Sequence, residues 1–97
     1  MHRIDVVKID VEGFELDVLR GAERMLCSPQ PPVIVFEFAD WAEARIFGQT
    51  PGDAQDLLLN CGYRLFHLEP NGSQGEELRV ALREGTAMLA ALPPKHL

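Results

Sequence analysis

An α/β fold, with a mainly parallel sheet covered by helices, is the class this sequence predicts, and three observations carry it. Short apolar runs at residues 5–10, 33–38, 63–68 and 87–92 alternate with segments of helical spacing. Strands that alternate with helices imply crossover connections and hence parallel neighbours. The second run, Val33-Ile34-Val35-Phe36-Glu37-Phe38, is almost continuously apolar, as strands become when helices cover both faces of a sheet. Glycine and proline punctuate the boundaries, with Gly13, Gly62 and Gly85 at element ends and Pro31-Pro32 and Pro93-Pro94 beside strands.

The first strand is expected over residues 5–10. Residues 14–26 then place Val18, Leu19, Ala22, Met25 and Leu26 on one stripe of an amphipathic helix, with Asp17, Arg20, Glu23 and Arg24 elsewhere on its surface. Gly21 costs that helix about 1 kcal/mol relative to alanine, which points to close packing on the sheet or to an imperfect helix. The run Ser28-Pro29-Gln30-Pro31-Pro32 ends it, because proline lacks an amide donor and disfavours helical geometry in the residue before it.

After the second strand, Asp40 and Glu43 have the spacing of a capping box for a short helix over residues 41–47. Thr50-Pro51-Gly52-Asp53 is a stronger start signal, with a threonine cap and a proline at the first helical position. Ala54, Leu57, Leu58 and Cys61 supply the apolar face of the helix that follows, and Gly62 stops it. The third strand covers residues 63–68 and the turn Pro70-Asn71-Gly72-Ser73 closes it. Residues 76–83 are ambiguous: Leu78, Val80 and Leu82 alternate as in a strand, while the composition favours a short helix ended by Gly85, the reading preferred on sequence. Residues 87–92 form the last strand.

Composition narrows the function classes. Ninety-seven residues make one domain at most, and a chain of this size buries roughly 60–70% of the surface it exposes when unfolded. The apolar share of 46% and charged share of 25% are ordinary globular values, which argues against disorder. A net charge of −6, with nine scattered Lys and Arg residues, excludes a phosphate-neutralising stripe, so no nucleic-acid partner is expected. No apolar run is long enough to span a bilayer, no signal peptide is recognisable at the N-terminus, and a cytoplasmic location is the expectation. Cys27 and Cys61 lack metal-ligand or redox spacing and read as thiols without a role.

The chemistry concentrates where the first strand stops. In Ile4-Asp5-Val6-Val7-Lys8-Ile9-Asp10-Val11-Glu12-Gly13, alternate residues share a face, so Lys8, Asp10 and, while the chain stays extended, Glu12 lie on one side and Val7, Ile9 and Val11 on the other. Ligands of open α/β sheets bind outside the carboxyl ends of the strands. Asp10 and Glu12 are expected there, and Glu37 at the end of the neighbouring strand brings a third carboxylate to the same edge. Three acids suit a polyhydroxy substrate or a metal, although the absence of histidine leaves no metal assignment. Lys8 in a buried strand must reach water, a carboxylate or a substrate. Asp10 and Glu12 also suit the N-terminal end of the following helix without any further task. Trp41 either lines a pocket beyond the second strand or packs the short helix, and His67 has no partner that would make it a catalytic base.

The stretch KIDVEGFELDVLRGAERML at residues 8–26 resembles the signature region of FkbM-type methyltransferases: lysine, an apolar residue, Asp, a variable residue, Glu, Gly, then a helix with a Leu-x-Gly-Ala stretch. The likeness continues through the apolar strand closed by Glu37, through NCGYRLFHL at residues 60–68 and into AMLAALP at residues 87–93. It implies an S-adenosylmethionine-dependent enzyme with a Rossmann-like seven-stranded sheet that methylates oxygen on a small molecule or sugar. The four strands would then be the fourth to seventh of that fold, the last inserted antiparallel. Asp10 would orient a substrate hydroxyl or act as general base, with Glu12, Lys8 and Glu37 beside it and Trp41 against the substrate.

The family's glycine-rich cofactor loop would precede the region present here, and no G-x-G pattern occurs in the chain. The expectation is therefore a substrate-side half of a methyltransferase, inactive alone. The alternative is a non-catalytic α/β module kept for self-association. Either way, the first strand would leave an apolar edge open, and an antiparallel homodimer through it is expected.

Overall fold

A computed structural model describes residues 6–9, 13, 15–26 and 31–93. Five strands form one sheet in the order β1-β2-β5-β3-β4. These are β1 (Val6–Ile9), β2 (Val33–Ala39), β3 (Arg64–Leu68), β4 (Gln74–Leu78) and β5 (Thr86–Leu92), with helices α1 (Glu15–Gly21), α2 (Glu23–Leu26), α3 (Asp40–Ala44) and α4 (Asp53–Asn60) among them. The α/β class stands. The mainly parallel sheet does not: β1 pairs parallel with β2, while β2–β5, β5–β3 and β3–β4 are all antiparallel. Two of these pairings come from β5, which inserts between β2 and β3 running against both, and the third from the consecutive strands β3 and β4.

The second departure is β4. Residues 76–83 do not form a helix; Gln74–Leu78 pairs with β3, setting Leu78 opposite Leu65 and Glu77 opposite Phe66. Arg64 on β3 grips Glu77 through both carboxylate oxygens, at 2.8 and 2.6 Å. A strand partner already in place rewards the period of two in this segment, and cross-strand pairing outweighs a weak helical composition. Residues beyond β4 are tied to α4 instead, through Gln55, which accepts from the Leu82 amide at 2.7 Å and donates to the Leu82 carbonyl at 3.2 Å.

One face of the sheet holds the core. Ile9, Ile34, Phe36, Phe38, Leu65, Leu89 and Ala91 occupy alternate strand positions and pack with Leu16 and Leu19 of α1, Leu26 of α2, and Ala54 and Leu58 of α4. Tyr63 is buried at the start of β3, and its hydroxyl donates to the Pro32 carbonyl at 2.6 Å, joining the entries of two strands.

The helix expected over residues 14–26 is broken in two after Gly21, and its buried positions include Leu16 and Leu19 while Val18 is exposed. Gly21 has nothing near the position a Cβ would take, so its place reflects the break and not close packing on the sheet. The capping expectations also shift. Asp40 does not cap α3; its carboxylate accepts from the Gly85 amide at 2.9 Å while its own amide donates to the Gly85 carbonyl. Helix α4 begins at Asp53, later than the proline predicts, and Asp53 reaches back to accept from the amide and hydroxyl of Thr50, both at 2.7 Å.

Candidate functional site

Parallel pairing brings the ends of β1 and β2 to one rim. Ile9 pairs with Phe36, so Glu37 stands one residue beyond the last described position of β1, at the same end of the sheet. Asp10 and Glu12 lie outside the described residues. Lys8 pairs with Val35, which shares a face with Glu37 two residues on, and Glu37 lies opposite Met88 of β5. Lys8, Glu37 and Met88, with Ile9, line a small depression of about 110 Å³. This face is opposite the core. Lys8 and Glu37 are both exposed, so the expectation of a lysine within a buried strand is corrected: β1 is buried on its core face, and on the other face the ammonium reaches water directly.

Trp41 follows Glu37 by four residues, on α3. Its surface is 55% accessible, and the guanidinium of Arg45, the C-cap residue of the same helix, lies 4.9 Å from the ring centroid. An arginine over an aromatic face is held by the ring quadrupole. The pair therefore offers a flat wall and a cation beside the rim. His67 sits within β3, paired with Leu89, away from this edge.

Beneath the rim lies a buried polar cluster that no local sequence pattern announces. Gly13 has φ of +102°, and a Cβ built on it would come 2.5 Å from the Ala42 carbonyl oxygen of α3, so only glycine fits. Its amide donates to Glu15 Oε1 at 3.0 Å, and its carbonyl accepts from Gln49 Nε2 at 2.9 Å. Both partners are buried. Glu43, completely buried, accepts from the Gly52 amide at 2.9 Å through Oε1, while its Oε2 has no hydrogen-bond partner. Burial pushes the Glu43 carboxyl above its ordinary range; the Gly52 amide pulls it back in part, nearby Glu15 and Asp53 raise it further, and Arg83 opposes them. Sequence spacing assigned Glu43 to a capping box, and no local pattern marks Gln49, whose partner lies 36 positions away.

Larger depressions lie elsewhere and do not coincide with these groups. A groove of about 410 Å³ runs between α1 and α4 past Arg20, Glu23, Asp53 and Asp56. Two of its carboxylates are already engaged, Asp53 by Thr50 and Asp56 by Arg83 at 3.0 Å. Among the described residues no group of His, Cys, Asp and Glu could hold a metal ion, and no helix is long and apolar enough to cross a membrane.

Comparison with known proteins gives one result. A family model described as the methyltransferase FkbM domain matches residues 1–65, a stretch that runs from the N-terminus through β1, β2 and all four helices into β3. No curated protein and no solved structure matches. The match covers well over half of the sequence, and the chain belongs to the FkbM methyltransferase family.

Proposed function

We propose that the chain forms the methyl-acceptor side of an S-adenosylmethionine-dependent enzyme that methylates an oxygen of a small molecule or sugar. The observation that carries this reading is the family match across two parallel strands that close on one rim. On that rim an acceptor hydroxyl would give its proton to Asp10 as general base. Glu12 and Glu37 would accept hydrogen bonds from neighbouring hydroxyls. Lys8 would balance the three carboxylates, and Trp41 would wall the acceptor.

The described residues do not fit the cofactor itself. Its methionine portion needs a close backbone approach of the kind glycine allows. The glycine that follows β1 has its free side turned to the Ala42 carbonyl, and no G-x-G pattern occurs. The isolated chain is accordingly proposed to be inactive alone. Calorimetry with S-adenosylmethionine is expected to show no saturable binding at micromolar cofactor; saturable binding would overturn this part of the reading. In a complete enzyme of which this chain is the acceptor side, Asp10→Asn should lower turnover about a hundredfold or more. Unchanged turnover would leave Asp10 with a helix-capping task only.

A second reading is a self-association module. Strand β1 is at one edge of the sheet, and β4 lies at the opposite edge beside β3. An open edge is a template for another chain, and two copies of β1 pairing antiparallel would extend the sheet across a two-fold axis. Sedimentation at micromolar concentration tests it: a dimer supports the module, and a stable monomer removes it.

A further inference from the structure

The buried cluster under the rim joins three parts of the chain that are far apart in sequence. The junction after β1 is represented by Gly13, whose two backbone polar groups are both held by buried side chains, Glu15 from α1 and Gln49 from the loop after α3. Helix α3 presses on the same glycine through the Ala42 carbonyl. The next residue of α3, Glu43, reaches the other way and holds the Gly52 amide at the entry of α4. Gly52 is as constrained as Gly13: its φ is +97°, and a Cβ there would meet the Leu82 carbonyl oxygen at 2.8 Å. Two glycines that tolerate no side chain are thus spanned by adjacent residues of a five-residue helix.

Among the described residues, Glu43 is the one group of this cluster with an unmet requirement. Its Oε2 is buried and unpartnered. A neutral carboxyl tolerates that position at modest cost, whereas a carboxylate deprived of solvent on one oxygen does not. The charged groups that face it are Glu15 from α1, Asp53 from α4 and Arg83 from the loop between β4 and β5. Two of the three repel a negative charge. Arg83 is largely committed, since it bonds Asp56 at 3.0 Å and the Pro51 carbonyl at 3.1 Å. Glu15, the carboxylate that an ionised Glu43 would push against, is the same group that holds the Gly13 amide.

We infer that Glu43 is a proton-operated lock on the rim. Neutral, it leaves Glu15 undisturbed on the Gly13 amide; ionised, it holds the Gly52 amide more strongly but repels Glu15, and so loosens the hold on Gly13. The consequence for methyl transfer rests on the reading that this rim is the working site, whereas the coupling between Glu43 and Gly13 does not. Loss of the proton would alter the placement of the β1 end relative to Trp41 on α3, so acceptor positioning would depend on pH through a residue that never touches the acceptor.

The test is a pH titration of the chain by ¹H–¹⁵N correlation spectra. The amides of Gly13 and Gly52 are expected to move with one common midpoint, above the ordinary glutamate range, that coincides with the midpoint of the Glu43 side-chain carboxyl carbon. In Glu43→Gln both amides should lose that transition. A Gly13 amide that ignores the Glu43 midpoint, or a transition that persists in Glu43→Gln, would overturn the inference. Should Glu43→Gln fail to fold, agreement or disagreement of the three midpoints in the unsubstituted chain decides the matter. No outcome depends on catalysis, so failure of the lock and failure of the methyltransferase reading are separable.

Discussion

The two faces of the sheet use the same strands and the same ladder of hydrogen bonds, and they differ in almost everything else. On the helix side, Ile34, Phe36, Phe38, Leu65, Leu89 and Ala91 are closed to solvent beneath α1, α2 and α4. On the other side, Val6, Lys8, Glu37 and Met88 meet water, and among the described residues only Ala39, Phe66 and Ala90 are buried, Phe66 with the Arg64 guanidinium 5.4 Å from its ring centroid. Stability therefore resides on one face, and the groups able to meet a ligand gather at the end of the other. The rim is free to carry charge because the core does not need it.

The sharpest way to break this comparison is to remove core volume. Phe36→Ala empties a fully buried site between Ile34 and Phe38, and a loss of about 3–5 kcal/mol is expected. That is a large part of the margin of about 5–15 kcal/mol typical of a domain this size. Denaturant unfolding checks it. Met88→Ala, on the open face opposite Glu37, should cost far less. Equal losses would mean that the open face is also a core.

Gly13→Ala should come next, with a loss of about 1–3 kcal/mol from a side chain forced into left-handed backbone geometry. Contact with the Ala42 carbonyl adds to that strain. Thermal unfolding reads the effect. A neutral result would show that the junction adjusts without disturbing α3, and would remove the mechanical link between the rim and the polar cluster.

The sequence made the apolar half of this architecture legible. Residues 33–38 read as a buried strand because β-branched and aromatic residues run almost unbroken, and the strand is found with its alternate positions Ile34, Phe36 and Phe38 in the core. Residues 87–92 and 63–68 were as clear. Pairing direction is legible only through the family resemblance, which implies the antiparallel insertion seen for β5; nothing in residues 87–92 themselves announces it, since the order of strands is set by tertiary packing. The strand identity of β4 is hidden for the same reason, since it depends on Leu65 and Phe66 across the ladder. Of the site, Lys8 and Glu37 sharing a face follows from spacing and parallel pairing together. Glu15, Gln49 and Glu43 could not be read as a cluster, because contacts such as Gln49 with Gly13 exist only once α3 has folded back on the end of β1.

A smaller effect separates two carboxyls, Glu43 on α3 and Asp53 at the start of α4, by their pH response. The folded-state carboxyl of Glu43 holds its proton more tightly than the unfolded one, chiefly through burial. The folded state then binds more protons than the unfolded state between the two values, so stability is fully present below the unfolded value and falls as pH rises through the folded one. For a single proton the slope cannot exceed about 1.4 kcal/mol per pH unit. Asp53 acts in the opposite sense and in a more acidic window: partial burial works against its charge, but the Thr50 amide and hydroxyl outweigh it, so its contribution is lost only on acidification. Glu43→Gln should remove the decline on the higher-pH side and leave the acid side unchanged. A decline of the same slope in the variant would assign it to other groups.

The smallest expected effect is the most informative about the rim. Glu37 belongs to the same strand as Phe36 and Phe38, yet its side chain points to the exposed face, where Lys8 and Met88 are its neighbours around a shallow depression. No described backbone amide depends on its carboxylate among the bonds that tie loops to strands, in contrast to Glu15 and Glu43, each of which satisfies a buried glycine amide. Replacing it with glutamine removes the charge while keeping shape and hydrogen-bonding capacity. Stability should change by no more than about 0.5 kcal/mol, the usual range for surface substitutions away from special features. A larger loss in chemical denaturation would give Glu37 a structural task and withdraw it from the proposed acceptor site. An unchanged fold leaves its carboxylate without a task in the core, and in a complete enzyme any fall in turnover of Glu37→Gln would then report on the acceptor and not on the sheet.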